Sequence, residues 1–439
     1  MHRSNRCLTT YVFALALIAS SAAAAVAAGD PYRGLVWHVE SLDGTVIDSR
    51  KADEPINPAS IVKLATTLWA LEVPGPDQRF ETAFVTRGAL DPETGVLDGD
   101  LIVVGGGDPD FHRENAFLVA RALNDLGVKT IRGDLLVDSR FWIGWEGGAS
   151  HRLNDPAARS KLMASRLRSA LDRQRWDRAT QRAWRELAAR RQLPAATPPR
   201  VEVLGEFGPL DGAGAGAGRT LVVHRSKPLA VVLRRFNCYS NNDLERVAEL
   251  RTTPGEMAGR LVARWGLPAR SVTFETASGL GTNRLTPRQI VRLLRELRTT
   301  CEGLGLDLAT VLPVAGCDPG TLHMFPRLND GKYAASIVGK TGTLPYTDDG
   351  VSVLAGVART VQGELLFSVA MPRAGRKLHW ARSREQAWLL ELIAAHGGPS
   401  PGSCGEPLPL PDVGAEIVLD PPSPHQVQRA RGLSFGKPG

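Results

Sequence analysis

Three short pieces of this 439-residue chain carry residue types that could do chemistry together: Ser60-Ile-Val-Lys63, Ser240-Asn241-Asn242 and Lys340-Thr341-Gly342-Thr343. A serine hydroxyl is a weak nucleophile and needs a general base within hydrogen-bond reach. Positions i and i+3 share one face of a helix, so Lys63 can reach back to Ser60. A lysine serves as base only when its pKa falls, which burial and a second cation such as Lys340 bring about. Ser60 at a helix N-terminus would also face backbone N–H groups and the positive end of the helix dipole, where an oxyanion could form. Ser240 and Asn242 lie two apart at an expected helix start. There Ser240 can relay a proton to a leaving group while the Asn242 amide fixes Lys63 and a substrate amide. N-capping is the plain structural use of Ser240 and is compatible with the chemical one. Lys340 and Thr341, on an expected edge strand, suit a terminal carboxylate, and such an edge can pair with an extended peptide. Gly342 would admit a substrate backbone, and the Thr343 N–H would complete an oxyanion hole. Each piece alone is an ordinary surface feature. In this order they describe one acyl-transfer site.

The elements that must hold these residues can be read from pattern. Gly34–Val39 and Gly44–Asp48 form two strands joined around Asp43-Gly44, a hairpin signal. The loop Asn57-Pro58-Ala59 leads into a helix from Ser60, with Ile61, Leu64, Ala65, Leu68 and Trp69 at helical spacing and Pro74-Gly75 at its end. Further on, helices are expected from Ser240, at Glu256–Trp265, and from Pro287 through Leu297 with Thr286 as N-cap. Strands are expected at Ala335–Val338 leading into Lys340, at Val351–Ala358 and at Glu364–Met371, with a last helix at Trp380–Ala395. Between the two halves the character changes. Short β segments (Leu101–Val104, Ile131–Val137) and a helix near Glu114–Leu126 precede an arginine-rich stretch and the flexible Asp211–Gly218. Gly105-Gly106-Gly107 is no dinucleotide fingerprint, because Asp108-Pro109 interrupts any helix that would receive a pyrophosphate. The resulting division is a signal peptide at 1–28, a catalytic domain at 29–75 and 228–396, an inserted domain at 76–227, and a Pro/Gly-rich tail at 397–439 that reads as disordered.

Residues 1–28 begin with His2, Arg3 and Arg6, run apolar from Tyr11 to Ile18, and end in small residues at Ala25-Val26-Ala27-Ala28, the pattern of a cleaved secretory signal. The apolar run is shorter than the ~20 residues that span a bilayer, so no transmembrane anchor is expected after cleavage. The expected location is periplasmic or otherwise extracytoplasmic. Without Cys7, the cysteines are Cys238, Cys301, Cys317 and Cys404. Export permits disulfides, with Cys301–Cys317 the first pair to test; the alternative is buried free thiols. Neither a C-x-x-C nor clustered histidines suggests a metal site. The net charge of +7 is concentrated: His151–Arg200 holds thirteen Lys/Arg against four Asp/Glu, leaving the rest near −2. The arginines, set among Trp176, Trp184, Leu167, Leu171 and Leu187, describe basic amphipathic helices. Nucleic acid is excluded as a partner by export. The helices are either a solvated face or a contact for an anionic wall or membrane polymer.

The separation of 180 residues between Ser60 and Ser240 narrows the family. A β-lactamase or simple carboxypeptidase places the second piece much sooner. The chain resembles the penicillin-binding protein 4 type D-alanyl-D-alanine carboxypeptidases and endopeptidases, whose transpeptidase-like domain carries a large insertion there. Gly105-Gly-Gly-Asp-Pro109 and Ile131–Asp138 look like that insertion. Thr276-Ala277-Ser278-Gly279-Leu280 is similar to the family's D-G-S-G-L stretch, with Thr-Ala in place of Asp-Gly, and Leu312–Gly316 to the segment after it. The insertion is short for the family and its arginine-rich portion is atypical. The resemblance implies an α/β (α+β) fold, β-lactamase/transpeptidase-like, with an antiparallel sheet flanked by helices and a smaller inserted domain. It implies that Ser60 attacks peptidoglycan D-Ala-D-Ala peptides or a related crosslink, with Lys63 as base, Ser240 and Asn242 assisting and Lys340 on the carboxylate. β-Lactams would acylate the same serine, and no metal or organic cofactor is required. The alternatives are a β-lactamase or esterase using the same serine, and a non-catalytic cell-wall binding protein.

Overall fold

The computed structural model describes residues 30–148, 151–210, 218–249 and 251–419; the expected signal peptide lies outside them. Five antiparallel strands make the sheet on which the site is built, in the order Ile337–Leu344, Val351–Thr360, Gly363–Pro372, Val36–Ser41, Val46–Arg50. Side chains alternate across a strand, so each face needs its own cover. Val36, Val353, Ala355, Val357, Leu366 and Ala370 join the core shared with helices Val62–Glu72 and Pro287–Gly303. Trp37 and Phe367 point the other way, onto Trp388 of helix Leu378–Ala395. The result is an antiparallel sheet flanked by helices, as expected. Within the core, Leu64, Leu68 and Trp69 are buried, and each such side chain stabilises the fold by about 1.5–3 kcal/mol. Helix Pro287–Gly303 starts with a capping box between Thr286 and Gln289, with Pro287 at its first position.

Residues between Glu81 and Arg225 surround a second core containing Phe117, Met163, Leu167, Trp176 and Trp184. Its larger sheet runs Phe207–Pro209, Leu135–Val137, Leu101–Val104, Glu81–Thr86, Arg219–Arg225, Glu416–Leu419. The expected strand Ile131–Val137 is two strands in two sheets, Thr130–Ile131 and Leu135–Val137. They part at Gly133, where an added methyl would lie 2.3 Å from Asp100 Oδ1. The arginine-rich stretch forms helices Pro156–Leu171 and Arg178–Arg190, with Met163, Leu167, Trp184 and Leu187 turned inward. Several of its arginines are paired inside the chain: Arg175 with Asp172 at 3.4 Å, and Arg190 and Arg191 with Asp412 at 2.9 and 3.1 Å.

Two expectations are corrected. Cys317 bonds to Cys404, while Cys301 is a free thiol on the buried face of helix Pro287–Gly303. The tail from 397 to 419 is ordered. Its carbonyls at Glu406, Pro409 and Leu410 accept from Arg234, Arg235 and Lys227, and Glu416–Leu419 pairs with Arg219–Arg225. Composition registers too little apolar content to order such a segment. It does not register a crosslink or buried cations that satisfy the backbone.

The turn before Ser60 is wedged between two glycines. An added methyl on Gly279 (φ +89°) would lie 1.9 Å from the Ala59 carbonyl oxygen, and one on Gly342 would lie 2.6 Å from that of Pro58. Gly342 is thus required by this turn itself, whereas the sequence suggested a substrate backbone there. Gly279→Ala is expected to lower stability by about 1–3 kcal/mol in urea unfolding through overpacking. Gly208→Ala, with open space around it, is the silent control, and equal midpoints would contradict the wedge. Replacing Cys317 and Cys404 by Ser opens a loop with a separation of 87 residues and is expected to cost about 3–5 kcal/mol. Unchanged melting of that double variant would contradict a stabilising crosslink.

Candidate active site

Ser60 sits in a short 3-10 turn, Ala59–Ile61, that runs directly into helix Val62–Glu72. Ala59 adopts φ +49°, a left-handed conformation that L residues resist. It is held by the Asn57 side chain, whose Oδ1 accepts from the Ala59 N–H at 3.0 Å. Asn57 in turn donates to Asp348 Oδ2 at 2.7 Å. This brace turns Ser60 toward Lys63 on the first turn of the helix.

Lys63 is fully buried, and its Nζ contacts Ser60 Oγ at 2.9 Å, Asn242 Oδ1 at 2.8 Å and the Ser278 carbonyl at 2.7 Å. Those three contacts dictate a chemistry. A neutral amine has two N–H groups and one lone pair. Asn242 Oδ1 and the Ser278 carbonyl are obligate acceptors and claim the N–H groups, so the lone pair faces the Ser60 hydroxyl. Burial holds the Lys63 pKa well below the ordinary lysine value, the positive charge of Lys340 adds to this, and Glu245 opposes it.

Lys340 is equally buried. Its Nζ donates to Ser240 Oγ at 2.7 Å and to the Thr341 carbonyl at 2.8 Å. Burial lowers its pKa to about 7, with Cys238 acting in the opposite direction. Thr341 Oγ1 lies 2.7 Å from Thr321 Oγ1, and Thr343 Oγ1 accepts from Arg382 at 3.2 Å. The strand carrying these residues, Ile337–Leu344, stands at the sheet edge. Its beginning is covered by residues 313–315, through the Gly339 N–H on the Pro313 carbonyl and the Ala315 N–H on that of Ile337.

The middle piece differs from expectation. Ser240 does not start a helix; it ends helix Leu229–Tyr239 in a left-handed conformation, φ 51°. Leu229, Val232, Leu233 and Phe236 keep that helix in the core as far as Tyr239. The N-cap of the following 3-10 turn, Asn242–Leu244, is Asn241. This reversal aims Ser240 at Lys340 and Asn242 at Lys63. Asn242 is pinned from its neighbour: Asp243 receives the backbone N–H groups of Glu146, Gly147 (3.0 Å) and Gly148 (2.9 Å).

The structure therefore brings Ser60, Lys63 and Asn242 into one hydrogen-bonded set and Ser240 and Lys340 into a second, the two coupled by the charge of Lys340 acting on Lys63, with Thr341, Gly342 and Thr343 following Lys340 on the same strand. Residues that sequence reasoning missed are Asn57, Glu245, Arg382 and the role of Ser278. The D-G-S-G-L-like stretch was the available signal for Ser278. Its altered first residue keeps the turn: Thr276 Oγ1 accepts from the Gly279 N–H at 3.1 Å and donates to the Leu280 carbonyl at 3.1 Å. Arg382 had no signal, since only folding brings it to Thr343.

Comparison with known proteins places the chain among relatives of one kind. A D-alanyl-D-alanine carboxypeptidase of Actinomadura sp. (strain R39) is 36% identical over 104 residues, which are 24% of this chain and 19% of that protein. A predatory endopeptidase of Bdellovibrio bacteriovorus, solved with an immunity protein, superimposes with TM-score 0.73 at 25% identity, covering 87% of this chain and 99% of that one. Penicillin binding protein 4 of Haemophilus influenzae superimposes with TM-score 0.59 at 19% identity, over 82% of this chain and 97% of that one. The family model for D-Ala-D-Ala carboxypeptidase 3 (S13) matches residues 24–161 and 210–379. With matched stretches that cover more than half of the chain and together hold Ser60, Lys63 and Asn242, this chain belongs to the D-Ala-D-Ala carboxypeptidase 3 (S13) family.

Proposed function

We propose that this chain is a serine D-alanyl-D-alanine carboxypeptidase, active also as a DD-endopeptidase, on exported peptidoglycan stem peptides. The observation that carries the proposal is the Lys63 amine, desolvated and fixed by two acceptors with its third contact on Ser60 Oγ. In this reading Lys63 takes the Ser60 proton as Oγ attacks the carbonyl carbon of the D-Ala-D-Ala bond. The oxyanion is met by backbone N–H groups at the helix start and at Thr343. Lys340, protonated, holds the terminal carboxylate together with Thr341, and Arg382 beside Thr343 adds a second cation at that end of the strand. The departing D-Ala nitrogen receives its proton by way of Ser240, which lies between Lys340 and the leaving group. Water then attacks the acyl-enzyme, with Lys63 again as base, and frees Ser60. Penicillin, an acyl donor with a carboxylate, would acylate Ser60 by the same route. The residues at 76–227 are proposed as an inserted domain whose loop at 144–148 backs Asn242. Export is supported by the Cys317–Cys404 disulfide, which suits an oxidising compartment. Among the described residues no helix is long and apolar enough to cross a membrane.

Ser60→Ala is expected to abolish covalent labelling by fluorescent penicillin and to reduce D-alanine release from a pentapeptide by at least about 10⁴-fold. Equal labelling of both proteins would sink the assignment. The pH dependence has a defined sign. As pH rises through about 7, Lys340 loses its proton, so KM for a peptide ending in a free carboxylate rises. A peptide amide gains no such attraction and its KM stays flat. Parallel KM profiles for acid and amide would contradict the carboxylate role of Lys340.

A further inference from the structure

One buried carboxylate stands next to this machinery without a part in the steps above. Glu245 opens the short helix Glu245–Glu249, three residues after Asn242, and is 3% exposed. Its Oε1 accepts from the Ser278 hydroxyl at 2.5 Å. Ser278 presents its backbone carbonyl to Lys63 Nζ at 2.7 Å. One residue therefore faces both the base, through its carbonyl, and Glu245, through its hydroxyl. Charged groups near this link include Lys63 and Lys340 on the site side and Arg152, 4.0 Å from Glu245, on the other. Arg152 is itself held by Asp243 at 3.3 Å and Glu249 at 2.5 Å.

We propose that Glu245 is a positioning residue for the base, acting through Ser278 to hold Lys63 in register with Ser60 and supplying a negative charge beside the buried Lys63 amine. The physical reason is the cost of burying charge. Two ammonium groups in a dry site favour loss of both protons, and a nearby carboxylate opposes that loss. The effect of Glu245 on Lys63 is opposite in sign to that of Lys340. The base is thereby kept from becoming too weak to accept the serine proton, since basicity and the neutral fraction trade against each other. The Ser278 link fixes geometry: with its hydroxyl tied to Glu245, the carbonyl stays aimed at Lys63, and the amine lone pair stays aimed at Ser60.

This inference rests on the Ser60–Lys63 reading and is tested separately from it. The measurement is the second-order rate of Ser60 acylation by fluorescent penicillin across pH, for wild type, Glu245→Gln and Ser278→Ala, each checked by thermal melting. Glutamine keeps an acceptor for the Ser278 hydroxyl and removes the charge. Glu245→Gln is expected to shift the acid limb of the profile to lower pH and to lower the plateau. Ser278→Ala keeps the charge and the backbone carbonyl, so its acid limb is expected to stay in place while its plateau falls. A Glu245→Gln profile whose acid limb coincides with wild type, whatever its amplitude, overturns the charge role. If that variant does not fold, Ser278→Ala decides alone: a plateau equal to wild type overturns the link. Wild type that is not acylated at Ser60 would instead remove the underlying reading.

Discussion

Everything in this site depends on keeping two lysine side chains dry. An ammonium group buried without compensation is expensive, and proteins answer by shifting its pKa and by surrounding it with fixed acceptors. Lys63 and Lys340 are both fully buried, and each contacts oxygen atoms from distant parts of the chain. Their acceptors are not interchangeable. Asn242 and Ser278 can only accept from Lys63, which sets the direction of the remaining contact with Ser60. The chain contains nine lysines among its 53 basic residues, the rest being arginine. Against that bias, both site cations are lysine. A guanidinium does not give up its proton and could not serve as the base.

The fold can be understood as the apparatus that delivers those acceptors. The sheet and helix Pro287–Gly303 bury the helix of Lys63, while the edge strand brings Lys340 from the far end of the sequence. The Ser240 reversal requires a helix ending in a left-handed residue, with Gly320 packed where an added methyl would meet the Cys238 carbonyl at 2.0 Å. The loop at 144–148 then closes over Asp243, and a strap crosslinked at Cys404 runs past Arg234, Arg235 and Lys227 to the second sheet. The Arg190 and Arg191 pairs with Asp412 tie the basic helices to this strap, so part of their charge has an internal use.

Much of this was legible in the sequence. Residues in contact along one helix, such as Ser60 and Lys63, are announced by spacing, and the hairpin at Asp43-Gly44, the Thr286 cap and the strands flanking Gly363 are announced by local chemistry. The reading weakened where a residue's environment is non-local. Ser240 reads as a helix start because Ser and Asn are good caps, yet the cap is Asn241, and a helix the local signals do not announce, Leu229–Tyr239, is packed into the core and ends at Ser240. Cys317 pairs across 87 residues with Cys404, a partner no spacing rule favours over Cys301. Gly342 was read as room for a substrate, yet its space is taken by Pro58 and Ala59. Glu245 and Arg382 left no mark in the sequence because their meaning arises only when separate segments meet.

The central claim is that Lys63 is neutral enough near physiological pH to accept the Ser60 proton. It is tested most directly by NMR titration of the protein labelled at the lysine ε-carbons, with the Lys63 resonance assigned by its absence in Lys63→Met. The expected result is a midpoint for Lys63 well below the ordinary lysine value of 10.5. A Lys63 resonance that titrates together with the exposed lysines would contradict it.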